Sequence, residues 1–290
     1  MIVDCHTQIW SSPAQLGRAA TAATQVLQAD EARHLAAVGP VDKALVLAFR
    51  SRYLDAEIPN AYVADYVRRN AAKLIGFAGI DPTERGWLDA LRTAQDDLRL
   101  RGVVISPELQ DFHPCDTRVM RLYEECVRRG LPVVFDQHHR CPTGKLAFAE
   151  PLLLDEVARE FPELRIVIAR LGHPWVQQTL VLLGKHAHVF ADLAGVLRHP
   201  WLTYTTLLTA HEYGVMDKLL LGSDFPFRAP AACIEALYSI NQFSHGSSLP
   251  PVPREQLRGI VERDALGLLG LADPTTPNST PKSQIFSDDD

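Results

Sequence analysis

The sequence predicts an α/β fold, a closed (β/α)8 barrel. Short apolar runs recur eight times, helical patterns fill the intervals between them, and no shift in composition divides the chain. The runs are residues 2–5, 43–49, 74–80, 102–105, 132–135, 165–169, 189–191 and 218–222. They are continuous rather than alternating, as parallel strands covered on both faces require. Eight strand–helix alternations in 290 residues match one barrel. A doubly wound open sheet is the structural alternative. No G-x-G-x-x-G follows the first run, which counts against its dinucleotide-binding form.

The helix over 116–129 is the clearest. Val119, Leu122, Tyr123, Cys126 and Val127 fall at i, i+3, i+4, i+7 and i+8, one helical face. Asp116 is placed to cap its first turn, and Gly130 and Pro132 stop it. Residues 151–160 repeat the logic, and 61–69 and 87–98 share it with fewer matches. Pro253 opens a last helix reaching about Leu269. The small residues of 11–29 suggest a loop and a helix above the barrel. The barrel is expected to span 1–272. Residues 273–290, rich in Pro, Ser, Thr and Asp, are expected to be a disordered tail.

Hydrophobic residues are 47% of the chain and charged residues 22%, enough for a core without covalent staples. The net charge of −6 comes with no basic block, which excludes a nucleic-acid partner. No apolar run reaches the ~18 residues of a membrane span. The start, MIVDCHTQIW, reads as a core strand rather than a signal peptide. Cys5, Cys115, Cys126, Cys141 and Cys233 are odd in number and form no C-x-x-C, which points to a reduced, cytoplasmic setting. No G-x-S-x-G elbow, P-loop or H-E-x-x-H is present.

In such barrels chemistry sits at the C-terminal strand ends. Here those ends carry Asp4, His6 and Gln8; Arg50; Asp81; Ser106 and Glu108; Asp136 to His139; Arg170 and His173; Asp192; and Ser223 with Asp224. Strand ends are also polar simply because they meet solvent. Asp81-Pro82 and Ser106-Pro107 read equally well as turn chemistry. His34, His113, His186, His188, His199, His211 and His245 read as ordinary surface or packing residues. Cys5 is expected to point away from Asp4 and His6, toward the surrounding helices.

Taken in order, several stretches resemble the amidohydrolase-related (amidohydrolase 2) family over residues 1–271. They are VDCH at 3–6, GFAGIDP at 76–82, ISPELQDFHPCD at 105–116, GLPVVF at 130–135, RIVIARLGHPW at 165–175, VFADLAGV at 189–196 and LLLGSDFPF at 219–227. The resemblance implies a barrel enzyme, a hydrolase or decarboxylase-like lyase, acting on small carboxylated molecules. It also implies a divalent metal, and a homodimer as a common assembly. Such relatives hold the metal with His-x-His on the first strand, a His on the fifth and an Asp on the eighth, with a further His on the sixth.

This chain departs from that pattern. It has His6-Thr7-Gln8 on the first strand, Asp136 on the fifth and Arg170 on the sixth, and retains Asp224 on the eighth. An arginine keeps its proton in a protein, so it is not a ligand. Its planar fork is instead suited to bridging two carboxylates. The expectation is an ion-pair network of Arg170 with Asp136 and Asp224 in place of the metal, hence no cofactor. Asp224 would act as base and Arg170 as anion clamp, with His6 and Asp136 completing the catalytic set. Gln8, Ser106, His138 and His173 would line the substrate. Two alternatives stay open. A single Zn or Mn could be held by His6, Asp136 and Asp224. Or the barrel could be inactive, binding a small anion or serving a structural role.

Overall fold

The computed structural model describes residues 1–20, 24, 27–137 and 141–272. The proposed tail at 273–290 and His138 lie outside them. Eight parallel strands follow one another in the order β1 (Val3–Thr7), β2 (Lys43–Leu47), β5 (Leu74–Gly79), β6 (Val103–Ile105), β7 (Val133–Phe135), β8 (Ile166–Ile168), β9 (Val189–Asp192) and β10 (Leu219–Leu220). Every neighbouring pair in that order is parallel. The circle closes through backbone bonds from Cys5 N to the Leu221 carbonyl (2.8 Å), Gln8 N to that of Phe225 (3.0 Å) and Asp224 N to that of His6 (3.1 Å). Each of the eight apolar runs therefore contributes one strand to the barrel.

Alternate strand residues face opposite ways. Val3, Cys5, Leu45, Leu47, Phe77, Val104, Val134, Val167, Phe190 and Leu220 form one buried cluster with a member from every barrel strand. Their sequence neighbours, such as Val46, Val103, Val133, Ile166 and Leu219, join a second cluster with the helices. The first cluster is thus the barrel interior. Ala265, Leu266, Leu269 and Leu271 belong to it as well, so residues 265–271 seal the barrel base.

Cys5 is a correction. It packs inside the barrel, not against the helices. The pairing of β1 with β2 shifts register between Asp4 and Thr7. Such an irregularity adds a residue and re-aims those after it. Cys5 faces inward by alternation from Val3, and the shift lets its neighbour His6 face inward too, where it reaches Asp136 just after β7 and Asp192 at the end of β9. Thr7 turns outward to bond the Leu45 carbonyl and His34.

The helices form where the periodicity placed them, with local corrections. In α5 (Thr117–Arg129) the Asp116 carboxylate accepts from Arg118 N, and Gly130 ends the helix at φ 67, a left-handed conformation that favours glycine. α2 is Asn60–Arg69. Residues 87–98 divide into α3 (Trp87–Arg92) and a π turn (Thr93–Asp97). Residues 151–160 divide into a 3-10 turn and α6 (Leu154–Glu160). The last helix is two: α10 (Arg254–Val261) and α11 (Ala265–Leu268). Asp264 breaks the run because its side chain accepts from Gly267 N and starts α11 afresh. Within 11–29 the described residues include a 3-10 turn, Pro13–Ala19, and part of the expected helix lies outside the described residues.

The second apolar run is not one strand. β2 stops at Leu47, and Phe49–Ser51 (β3) pairs antiparallel with Ala56–Ile58 (β4). Arg50 sits on this hairpin, tied to Glu57 and Glu84, both at 2.7 Å. Among the described residues no helix is long and apolar enough to cross a membrane.

Candidate functional site

The sixth strand ends in an unusual turn. Arg170 (φ 53, ψ 30) and Leu171 (φ 52, ψ 28) both adopt the left-handed conformation, which costs a non-glycine residue about 1–2 kcal/mol. The turn swings the Arg170 side chain across the C-terminal mouth of the barrel. Its Nη1 donates to Asp136 Oδ1 and to the Gln137 carbonyl (2.9 Å). Its Nη2 donates to Asp224 Oδ1 at 2.7 Å. All three side chains are buried. One guanidinium thus spans the ends of the fifth and eighth strands.

The remaining atoms of this cluster extend it. Gln8 Nε2 donates to Asp136 Oδ2 at 3.3 Å. The Asp224 Oδ2 atom faces Arg198 Nη2 at 3.2 Å. Arg198 follows β9, its side chain is 39% exposed, and its guanidinium lies over the Phe227 ring at 5.0 Å. Gly195 leaves room here: a Cβ on it would lie 3.2 Å from Asp224 Oδ2 and 3.4 Å from Arg198 Nη2.

His6 lies between two carboxylates. Its Nδ1 is 3.0 Å from Asp192 Oδ2 and its Nε2 is 3.7 Å from Asp136 Oδ1. Burial, the largest single influence, favours the neutral ring, and the Asp192 carboxylate opposes it by its charge and its hydrogen bond. With Asp136 helping and Arg170 opposing, the His6 pKa is raised. Burial also works against the charged form of Arg170, yet Asp136, Asp224 and Asp192 hold its pKa above the usual arginine value. Beneath the site, burial lifts Asp4 to about 6 against hydrogen bonds from Ser223 and His6.

Above Arg170 opens a cavity of about 440 Å³. Its walls include Trp10, Phe49, Ile58, Leu109, Leu202 and Phe227. Its polar groups include Gln8, Asp136, Gln137, Arg170, His173, Arg198, His199 and Asp224. The β3–β4 hairpin supplies Phe49 and Ile58. A largely apolar pocket with a few convergent charged groups is the usual form of a small-molecule site.

The sequence reading named Asp136, Arg170, Asp224, Gln8 and His173, and all five line this cavity. His6 adjoins it from below, through Asp136. Ser106 does not line it; that serine is buried ahead of the short helix α4 (Pro107–Gln110), where its backbone carbonyl accepts from Leu109 N and Gln110 N. Asp81 serves a turn, accepting from Thr83 N and Oγ1 and from Arg52 N. Of the two roles expected of His34, surface or packing, it has the second: it is fully buried and bonds Tyr66 Oη (2.8 Å) and Thr7 Oγ1 (2.9 Å). The reading missed Arg198, Trp10 and His199 at the cavity. Arg198 comes six residues after Asp192, and strand-end counting stops before it.

The residues present set a cation of their own, Arg170, between the two carboxylates that a divalent ion would need. Asp136 Oδ1 and Asp224 Oδ1 each accept from the Arg170 guanidinium, which spans the gap between them. An ion held by His6, Asp136 and Asp224 would have to displace that fixed positive charge. Among the described residues no group of three or more His, Cys, Asp or Glu is arranged to hold a metal.

Solved structures share the fold. An uncharacterized TIM-barrel protein from Bordetella bronchiseptica is 19% identical, with a TM-score of 0.70 over 93% of this chain and 98% of its own. A probable 2-pyrone-4,6-dicarboxylic acid hydrolase from Acinetobacter baumannii, with citric acid bound, is 15% identical. Its TM-score is 0.66 over 93% and 99%. A dihydroxybenzoic acid decarboxylase from a Polaromonas species, with bound manganese and the inhibitor 2-nitroresorcinol, is 12% identical. Its TM-score is 0.68 over 93% and 97%. No curated protein matches the chain. The amidohydrolase family profile matches residues 3–271, nearly all of the barrel, and the chain belongs to that family.

Proposed function

We propose that the protein is a metal-independent hydrolase of small carboxylated esters or lactones. The observation that carries this is the cavity over Arg170 and Arg198, with Asp224 between the two guanidinium groups. Arg198 is the more exposed, and its donors are available to a substrate carboxylate. Arg170 is fixed from below and stands ready to stabilise negative charge developing on a carbonyl oxygen. Asp224 accepts a proton from water as the water oxygen bonds the carbonyl carbon. The acyl–oxygen bond then breaks, and the departing alkoxide or enolate oxygen takes up that proton. Apolar walls hold the rest of the substrate and keep bulk water away. A neighbouring fold with citric acid bound supports carboxylates as the ligand class. Carbon–carbon lyase chemistry on a carboxylated ring is the companion reaction within the same family.

A second reading has its own support. Both Asp224 oxygens face guanidinium groups, which restrains that residue as a base and suits an inactive anion-binding barrel. The deciding experiment is a panel of carboxylated lactones and esters, run with and without chelator, together with elemental analysis of protein purified away from affinity metals. Turnover that survives chelation and is lost in Asp224→Asn supports the proposal. Turnover that requires added Mn or Zn overturns it. Carboxylate binding without turnover favours the inactive barrel.

A further inference from the structure

Asp192 is fully buried at the end of β9, and the hydrolysis described above gives it no role. Its two oxygens are spent on different parts of the site. Oδ2 faces His6 Nδ1 at 3.0 Å. A carboxylate only accepts, so it selects the ring state with a proton on Nδ1. Oδ1 accepts from Arg170 N and from Ala194 N, both at 2.9 Å. The first of these bonds pins the left-handed turn from which the Arg170 side chain reaches Asp136 and Asp224. The second pins the bend leading to Gly195, beside Asp224 Oδ2.

We propose that Asp192 is the positioning residue of this site: one oxygen fixes the His6 ring and the other fixes the turn that aims Arg170. It acts through these two residues rather than on a ligand, and it is not among the cavity's lining residues. The assignment rests on the reading of Arg170 and His6 as working groups. The geometry separates its two arms, because an amide can keep one and invert the other. In Asp192→Asn the side-chain oxygen still accepts from Arg170 N and Ala194 N. The amide nitrogen, a donor, then faces His6 Nδ1.

The test is nuclear magnetic resonance of the full-length chain with 15N-labelled histidine and backbone, without ligand. In the wild type His6 carries a proton on Nδ1, and the Arg170 amide exchanges slowly with solvent. In Asp192→Asn the Nδ1 proton is lost while the Arg170 amide stays protected. In Asp192→Ala both change, and the Arg170 amide exchanges at least about tenfold faster. An asparagine variant in which both signals move, or neither does, overturns the proposal, because a residue that merely packs would not separate them. That variant decides the matter even if the alanine variant fails to fold. No readout needs a ligand, so failure of the lactone panel would overturn the hydrolase reading and leave this one standing.

Discussion

At Arg170 the chain places one cation against two buried carboxylates, Asp136 and Asp224. Burying such charges is costly, and their mutual attraction offsets that cost only while every member is present. Arg170→Ala should therefore destabilise by about 3–5 kcal/mol, the range for breaking a buried pair. Urea unfolding measures this, and a loss under about 1 kcal/mol would mean the carboxylates find other partners. Adding Asp136→Asn to Arg170→Ala should recover part of the loss by removing one stranded charge. Arg198 behaves differently because it is partly exposed. Arg198→Ala should change stability by under about 0.5 kcal/mol. It should weaken citrate binding about tenfold, or about 1.4 kcal/mol, by calorimetry. Unchanged affinity would remove Arg198 from the anion site.

Single elements show which local signals the fold obeys. In α5 the Asp116 cap, the apolar face and Gly130 all agree, and the helix forms within one residue of expectation. Asp116→Ala should cost about 1 kcal/mol, read from urea unfolding, because the Arg118 amide loses its acceptor. No measurable change would show that water replaces the cap. The β3–β4 hairpin illustrates the opposite case. Residues 44–49 are apolar throughout, so nothing local marks the break after Leu47; Asp55, at φ 52, marks only the hairpin's tip. The break depends on Phe49 and Ile58 pairing and lining the cavity wall, a tertiary event.

For the whole molecule, two buried groups pull stability in opposite directions with pH. Asp4 has a folded pKa of about 6 against an ordinary 3.8, through burial. Its contribution is fully present below pH about 3.8 and is lost as pH rises through about 6. A shift of about two units corresponds to roughly 3 kcal/mol. His34 has a folded pKa of about 4 against 6.5, again through burial. Its contribution is present above pH about 6.5 and is lost as pH falls through about 4. Unfolding free energies across pH 4 to 6.5 should therefore show opposite trends. The wild-type advantage over Asp4→Asn should shrink as pH rises, and that over His34→Gln as pH falls. Trends of the same sign would refute one of the two assignments.

The sequence by itself determined eight parallel strands covered by helices on both faces, because continuous apolar runs with helical patterns between them are a local and repeated signal. Closure into a barrel rests on the backbone bonds from the first strand to Leu221 and Phe225, which join residues more than two hundred positions apart. The sequence also determined which strand ends carry Asp136, Arg170 and Asp224, since strand order fixes who stands at the mouth. What the tertiary structure decided is where irregular backbone sends side chains. The register shift in β1 turned His6 inward beside Cys5 and brought it to Asp192. The left-handed turn at Arg170 set its reach. The loop after β9 delivered Arg198. Each depends on partners more than twenty residues away, and periodicity along the chain carries no record of them.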